Sequence, residues 1–594
     1  MRYSLEALQT YMKRWGWDIA VVSGSDPHGS EYTPQRWRLR EFITGFTGSA
    51  GTVVVTQNSS GLWTDSRYFL QAEQQLANSG SVLHKEKPGN QTWSEWIAEY
   101  CAAQGKEHVV IGIDGMCHSY SQIDELKRSC PNATIVSSPD YIDPIWTDRP
   151  ALPKDKVWIL GIEYAGTGAA EKLSALRKVM ARNGCSAALI SDLMQIAWLL
   201  NIRSNDVLHT PVVISYCLVE QDRVVLFADP DKFSTDILDY FGKTDNFELH
   251  SYYGISDYLK EYNVGDGIML HSKTLNYHLY SILQSKCPDR IVDMEMPVNM
   301  AKAAKNPTEI SGFRQAYLFD GIAQTRFFKW LEESVSNGKK VSEADAAAKM
   351  SSLRALNPQY IDDSFGTISA YGANGAYPHY DYSIAKKETY LEPHGLYLID
   401  SGAHYRCGTT DITRTVPLGE LTDQERFDYT IVLKSMIGLS MAVFPEHTAG
   451  ARLDCLMREP MWRCRLNYGH GSGHGVGHLL SVHEGPQGIR QDSNPAEFVP
   501  GVVMSNEPGI YIEGKHGVRH ENMLLCVEDC RNEYGTWFRF DTITRTYIDT
   551  TCLACGILSQ EELAWIRDFN RICIEELSPY LEQSEIEWLL TKTK

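Results

Sequence analysis

The sequence predicts two successive α/β domains of one kind, followed by a larger α+β domain. Three observations carry this expectation. The first half contains an internal repeat. A proline-dense segment separates its two copies. Beyond about residue 300 the pattern changes to helices that open on capping boxes and alternate with strand-rich segments. A length of 594 residues suits three domains at roughly 100–200 residues each. The expected boundaries are 1–150, 151–300 and 301–594.

The repeat aligns LEALQTYMKRWGWDIAVVS, from Leu5, with LSALRKVMARNGCSAALIS, from Leu173. Leu5, Ala7, Leu8, Met12, Arg14, Gly16, Ala20 and Ser23 recur at a constant offset as Leu173, Ala175, Leu176, Met180, Arg182, Gly184, Ala188 and Ser191. Leu5, Leu8 and Met12 mark one face of a helix. Gly16 and Gly184 stand where a helix end calls for a left-handed backbone. The apolar runs Ile19–Val22 and Ala187–Ile190 then read as buried strands. Next, TVVVTQNSSGLWTD (to Asp65) resembles PVVISYCLVEQDRVVLFAD (to Asp229): strand, turn, strand and an acidic helix start. Between the copies, PDYIDPIWTDRPALP has the proline density of a stiff linker.

The third domain begins with KNPTEI: Asn306 as N-cap, Pro307 in the first turn, Glu309 closing the capping box. Phe313, Tyr317, Phe327 and Leu331 recur on one helix face. The pairs Ser342–Asp345, Thr422–Glu425 and Ser559–Glu562 predict three further helix starts.

A net charge of −19 argues against nucleic-acid binding and against docking on anionic lipid. No apolar run is long enough to span a bilayer, and Lys13, Arg14 and Asp18 interrupt any signal-peptide core at the start. The 14 cysteines are irregularly spaced, and the close pair Cys552 and Cys555 has no second pair to complete a zinc site. Free thiols in the reducing cytoplasm are expected.

Four carboxylates sit in two similar settings. LYLIDSGAHYRCGTTDITRTV carries Asp400 and Asp411; VVMSNEPGIYIEGKHGVRHENMLL carries Glu507 and Glu521. Each is an apolar strand, an acid, a glycine-containing turn, a second acid and another strand. A hairpin would return both acids of each pair to one place. Acids embedded in apolar strands are costly unless they are paired or bind metal. Between the hairpins lies YGHGSGHGVGHLLSVHEGP, with His470, His474, His478 and His483. Its glycines disfavour a helix by about 1 kcal/mol each. A tight loop or strand bringing some imidazoles to the acids is expected.

These segments, with WTDSRYFLQA at 63–72 and IWTDRP at 145–150, make the chain similar to the pita-bread metallopeptidases, and within them to the three-domain Xaa-Pro aminopeptidases (aminopeptidase P). The resemblance spans essentially the whole chain. It implies duplicated N-terminal domains, a C-terminal pita-bread domain, and two divalent metals held by Asp400, Asp411, His474, Glu507 and Glu521, with Asp411 and Glu521 bridging. Four carboxylates balance two such ions. Oxygen donors with one imidazole suit Mn²⁺, with Co²⁺ or Zn²⁺ as substitutes. A bridging water acidified to hydroxide would attack the Xaa-Pro bond. The resemblance further implies that Glu507 shuttles the proton and that His483 steadies the tetrahedral oxygen. His379 would contact substrate or the same charge. His470 would line the pocket beyond the scissile bond with Tyr511 and Arg519. His478 and His520 are left without a role; alternation along a strand turns His520 away from Arg519 and Glu521.

The expected activity is that of a cytoplasmic aminopeptidase acting on peptides with proline second, in a homodimer formed through the C-terminal domain. A prolidase restricted to Xaa-Pro dipeptides and a non-catalytic peptide-binding module of the same fold are the alternatives.

Overall fold

The first helix, α1 (Tyr3–Trp15), buries Leu5, Leu8 and Met12, and Gly16 follows it with φ +71°. These side chains pack on a sheet made of β1 (Ile19–Val22), β2 (Thr52–Thr56), β3 (Ser60–Thr64), β4 (Val82–Lys85), β5 (Val109–Ile113) and β6 (Ala133–Ser137), in the order β4-β3-β2-β1-β5-β6. The second copy starts with α2 (Ala169–Arg182), with Gly184 at φ +66°. Its strands are β7 (Ala187–Ile190), β8 (Tyr216–Glu220), β9 (Val224–Phe227), β10 (Phe247–His250), β11 (Ile268–Leu270) and β12 (Ile291–Asp293). Their order is β10-β9-β8-β7-β11-β12. The orders are the same strand for strand. In both, the first strand pairs antiparallel with the second and parallel with the fifth.

These features come from a computed structural model that describes residues 3–87, 89–106, 108–385 and 387–594. The chain divides into two units, Met1–Gly161 with Thr167–Asn299, and Ile162–Gly166 with Met300–Lys594. The first holds both sheets.

Two local expectations are corrected there. The proline-dense segment is not a bare linker, because Tyr141, Ile142 and Ile145 are buried in the first core and Trp15, Trp17 and Tyr141 meet edge to face or tilted. Arg149 is clamped on Asp140 and Asp143 as well. Proline density signalled stiffness, but the apolar residues between the prolines decide that the segment packs. Asp65 does not cap a helix either: it accepts from Arg67 N–H and pairs with the Arg67 guanidinium, and the next helix begins at Phe69.

The second unit is built around α3 (Pro307–Ser336), opened by the expected Asn306/Glu309 box, and α4 (Glu343–Arg354), opened by Ser342/Asp345. Phe313, Tyr317, Phe327 and Leu331 are all buried. Strand β13 (Ile368–Tyr371) pairs with β14 (Leu396–Ser401), and β14 with β17 (Ile412–Pro417); the short strands β15 (Ala403–Tyr405) and β16 (Gly408–Thr409) extend the hairpin between them. Helices α5 (Asp423–Ser440) and α6 (Gly450–Arg463) follow. A larger sheet contains β18 (Gly473–Gly475), β19 (Glu484–Ile489), β20 (Val503–Asn506), β23 (Asn522–Asn532) and β24 (Gly535–Thr542). The hairpin β21 (Gly509–Ile512) and β22 (His516–Arg519) projects between β20 and β23. Helix α7 (Gln560–Leu577) opens on the Ser559/Glu562 box, as α5 does on Thr422/Glu425, and Ile566, Phe569 and Cys573 of α7 pack in one core with Tyr429, Leu433 and Ile437 of α5. No helix among the described residues is long and apolar enough to cross a membrane.

Candidate metal centre

Both acid-bearing hairpins follow one plan. Asp400 lies near the end of β14, opposite Thr413 of β17, and Asp411 sits one residue before β17. Glu507 lies one residue beyond β20 and Glu521 one residue before β23, flanking the pair Asn506–Asn522. The inner hairpins carry the chain away and return it, so each acid pair converges. The two hairpins are tied together: Glu521 N–H donates to Thr413 O at 3.0 Å, and Thr415 Oγ1 donates to Arg519 O at 2.9 Å.

His474 comes in from the middle of β18, an extended segment and not a helix. Gly473 and Gly475 permit this, since a Cβ at either would meet the carbonyl of Ser505 or Glu484 at 2.2 or 2.4 Å. His474 Nδ1 lies 3.0 Å from Gly475 O, which makes Nδ1 the donor and turns Nε2 toward the acids. Nε2 is 3.6 Å from Asp411 Oδ2 and 3.3 Å from Glu507 Oε1. Asp411, His474 and Glu521 each offer one donor atom, all within 4.8 Å of one another.

The electrostatics match the geometry. Asp411 and Glu521 are almost fully buried, at 4% and 1% exposure. Burial first, then the neighbouring carboxylates, drives Asp411 far above the usual carboxylate range and lifts Glu521 to about 8. Burial also pushes on Glu507, but hydrogen bonding to His474 and the charge of that imidazole outweigh it and hold Glu507 low. Against burial, Glu507 and Glu521 raise His474 to about 9. Arg519 Nη2 donates to Asp400 Oδ2 at 2.6 Å, while Asp400 Oδ1 is buried without a hydrogen-bond partner. Four acids thus share one guanidinium and one imidazole. A buried oxygen-rich cluster whose carboxylates cannot all ionise together, with an orphaned carboxylate oxygen, fits divalent cations.

His470 Nδ1 lies 2.6 Å from Gly471 O and is therefore the donor, so Nε2 accepts from Tyr511 O–H at 2.8 Å. The Tyr511 oxygen in turn accepts from Arg519 Nη1 at 2.7 Å. Burial, with Arg519 opposing Glu507, keeps His470 neutral by lowering it to about 4. His483 precedes β19 and sets its ring edge-on to His474, with centroids 4.2 Å apart. His379 is half-buried in the turn after the 3-10 segment Gly372–Ala376, whose Gly375 packs against the backbone of Gly517.

Family models match along the whole length: the creatinase/prolidase N-terminal domain at residues 5–145 and again at 148–309, metallopeptidase family M24 at 311–528, and the C-terminal region of peptidase M24 at 536–594. Aminopeptidase P2 of Arabidopsis thaliana is 37% identical over 98% of this chain and 86% of its own. The chain belongs to metallopeptidase family M24. The probable Xaa-Pro aminopeptidase P of Ajellomyces capsulatus is 35% identical over 99% of this metallopeptidase and 98% of its own length. The crystal structure of X-prolyl aminopeptidase from Caenorhabditis elegans, described as a cytosolic enzyme with a di-nuclear active site, matches with a TM-score of 0.92 at 32% identity, covering 97% of this chain and 95% of that one.

The metallopeptidase's centre also contains groups that the motifs did not announce. Thr413 Oγ1 donates to Glu521 Oε2 at 2.9 Å, Ser505 Oγ donates to Glu507 Oε1 at 3.2 Å, and Tyr317 OH accepts Asp411 N–H at 3.2 Å. Thr413 and Ser505 each lie two residues from an acid, so strand alternation was the available signal. The helical spacing of Tyr317 marks it only as a core residue. Arg519 differs in role from a pocket wall, because its buried guanidinium is committed to Asp400, Tyr511 and Thr413. His478 is buried with Nε2 2.8 Å from Cys407 O, and His520 packs edge-on against Tyr429. Both serve the interior.

Proposed function

We propose that the chain removes the first residue from peptides with proline in second position, using two divalent metals held by Asp400, Asp411, His474, Glu507 and Glu521. The convergence of both acid pairs with His474 at one buried point supports this reading most. Full-length similarity to Xaa-Pro aminopeptidases supplies the substrate class. Oxygen donors with one imidazole favour Mn²⁺. When bound, the two ions polarise the scissile carbonyl and make water acidic enough to lose a proton near neutral pH.

The protein's own groups do the rest. Glu507, held ionised beside His474, takes the proton from the attacking water and delivers it to the leaving nitrogen. His483 and His379 donate to the oxygen on which charge develops. Neutral His470 and Tyr511 line the pocket for the residue after the cut. An Xaa-Pro amide has no N–H to offer and its ring fixes φ; a pocket that reads ring shape accepts what N–H-reading sites reject. The free thiols, and the cytosolic description of the worm enzyme, support a cytoplasmic location. A homodimer through the second unit is part of the proposal, and sedimentation at two concentrations tests it.

Mn²⁺-loaded protein is expected to cleave Arg-Pro-Pro, to spare Arg-Ala-Pro, and to lose activity in chelator. Cleavage of Arg-Pro alone would make it a prolidase. Neither cleavage nor bound metal would make it a peptide-binding module. Full activity in Asp411→Ala or Glu521→Ala would overturn the ligand assignment.

A further inference from the structure

A buried ion pair that none of the catalytic roles uses touches the residues next to Asp400 and Asp411. Asp320, on α3, and Arg354, at the end of α4, have fully buried side chains. Arg354 Nε donates to Asp320 Oδ1 at 2.7 Å and Nη2 to Asp320 Oδ2 at 3.0 Å. The guanidinium also reaches the hairpin: the second Nη2 hydrogen is shared between Ser401 O and Ser401 Oγ, both at 3.1 Å, and Nη1 donates to Gly402 O at 3.1 Å. Asp320 Oδ2 accepts from Thr410 Oγ1 at 2.5 Å.

Ser401 directly follows Asp400, and Thr410 directly precedes Asp411. Side chains alternate across extended chain, so the residues facing the pair are those whose neighbours face the centre. One buried pair therefore meets the residue after Asp400, at the end of β14, and the residue before Asp411, ahead of β17. Other contacts keep the grip tight. Ser364 Oγ donates to Thr410 O at 2.7 Å, Thr410 Oγ1 accepts from Ala403 N–H at 2.9 Å, and a Cβ at Gly402 would meet Thr410 O at 2.0 Å. Tyr317, one turn before Asp320 on α3, receives Asp411 N–H.

We propose that Asp320 and Arg354, through Ser401 and Thr410, are positioning residues that set the separation of Asp400 and Asp411, and so allow the centre to hold two ions together. The proposal rests on the two-metal reading above. It concerns residues that touch neither substrate nor ion. A buried pair kept only for stability would have no reason to end on both residues adjoining the aspartates.

Thr410→Val removes one hydroxyl at nearly constant volume, and Arg354→Lys keeps the charge but not the fork. Each is titrated with Mn²⁺ by calorimetry from the metal-free full chain, with thermal melting of the metal-free form alongside. The wild type is expected to take up two ions. In Thr410→Val the weaker-binding ion loses affinity by about 10–100-fold, the usual size for groups that orient ligands. Uptake at limiting metal then falls toward one ion, and high Mn²⁺ restores the second ion together with kcat. Unchanged binding of both ions in both variants overturns the proposal, and a lower melting temperature with unchanged binding shows a purely structural pair. A wild type that binds fewer than two ions refutes the underlying two-metal reading instead.

Discussion

Metal loading should expel protons from this centre, and the number follows from the groups that share it. In the metal-free protein at pH 7, Asp411 and Glu521 are driven up by burial and mutual repulsion, Glu521 to about 8. His474 stands at about 9 because Glu507 and Glu521 outweigh burial. Glu521 and His474, at about 8 and about 9, therefore favour their protonated forms at neutral pH, and on the two-metal reading each must lose a proton to become a ligand. Binding of both ions should then release about two protons per chain at pH 7, from Glu521 and His474, and fewer above pH 9. The sign for stability follows. Groups whose folded pKa is raised stabilise the fold at low pH, and that contribution is lost as pH climbs through the folded value. Metal-free protein should therefore lose stability from about pH 5 to pH 9, while metal-loaded protein should not. Each ion at a hundred times its Kd adds about 2.7 kcal/mol. Calorimetric titration with Mn²⁺ in buffers of different ionisation enthalpy gives the proton count, and melting with and without metal gives the stability gap. No proton release at pH 7, or equal melting temperatures at pH 8, would refute the reasoning.

Thr413→Val, which takes the hydrogen bond from Glu521 Oε2, should weaken Mn²⁺ binding about tenfold or more with the fold intact; a metal titration checks it. Glu484→Gln should cost about 3 kcal/mol in urea unfolding, because it takes the carboxylate that lies 2.6 Å from each of two buried lysines, Lys302 and Lys305. His118 is lowered by burial to about 4. The unfolded chain therefore binds its proton first, and stability should fall between about pH 6.5 and 4 by about 3 kcal/mol from this residue. His118→Gln should flatten that slope in urea titrations across the range.

Local rules read directly from the chain describe much of the fold. Asn306, Ser342, Thr422 and Ser559 each cap the helix expected of them, since a capping box satisfies helix-end groups within four residues and needs no tertiary help. The repeat was legible for the same reason: helix face, glycine and strand recur as one local unit. The proline-dense segment is not legible in this way, because its fate depends on what Tyr141 meets, and those partners, Trp15 and Trp17, lie far away in sequence. The same distinction runs through the centre. The acids announced themselves by being out of place in apolar strands. Asp320 and Arg354 did not, because an acid and an arginine on two helices look like ordinary surface residues until tertiary packing removes their water.

Arg519 illustrates what geometry adds to a motif. As a pocket residue it would sit open to substrate, yet it is 3% exposed and each of its three nitrogens donates inward, to Asp400, Tyr511 and Thr413. Tyr511 also holds His470, so one continuous chain of hydrogen bonds runs from His470 through Tyr511 and Arg519 to the Asp400 carboxylate. A buried guanidinium with carboxylate and phenol partners is rigid, and truncating it leaves Asp400 uncompensated. Arg519→Lys supplies the charge without the fork, so it cannot reach Asp400 and Tyr511 at once. It should therefore raise KM through a loosened Tyr511 and weaken Mn²⁺ binding through a loosened Asp400, both in one variant. Steady-state kinetics across a metal series separates the two effects. A change in KM with metal affinity untouched would mean that the pocket and the metal cluster are mechanically independent, and that the chain of hydrogen bonds between them transmits nothing.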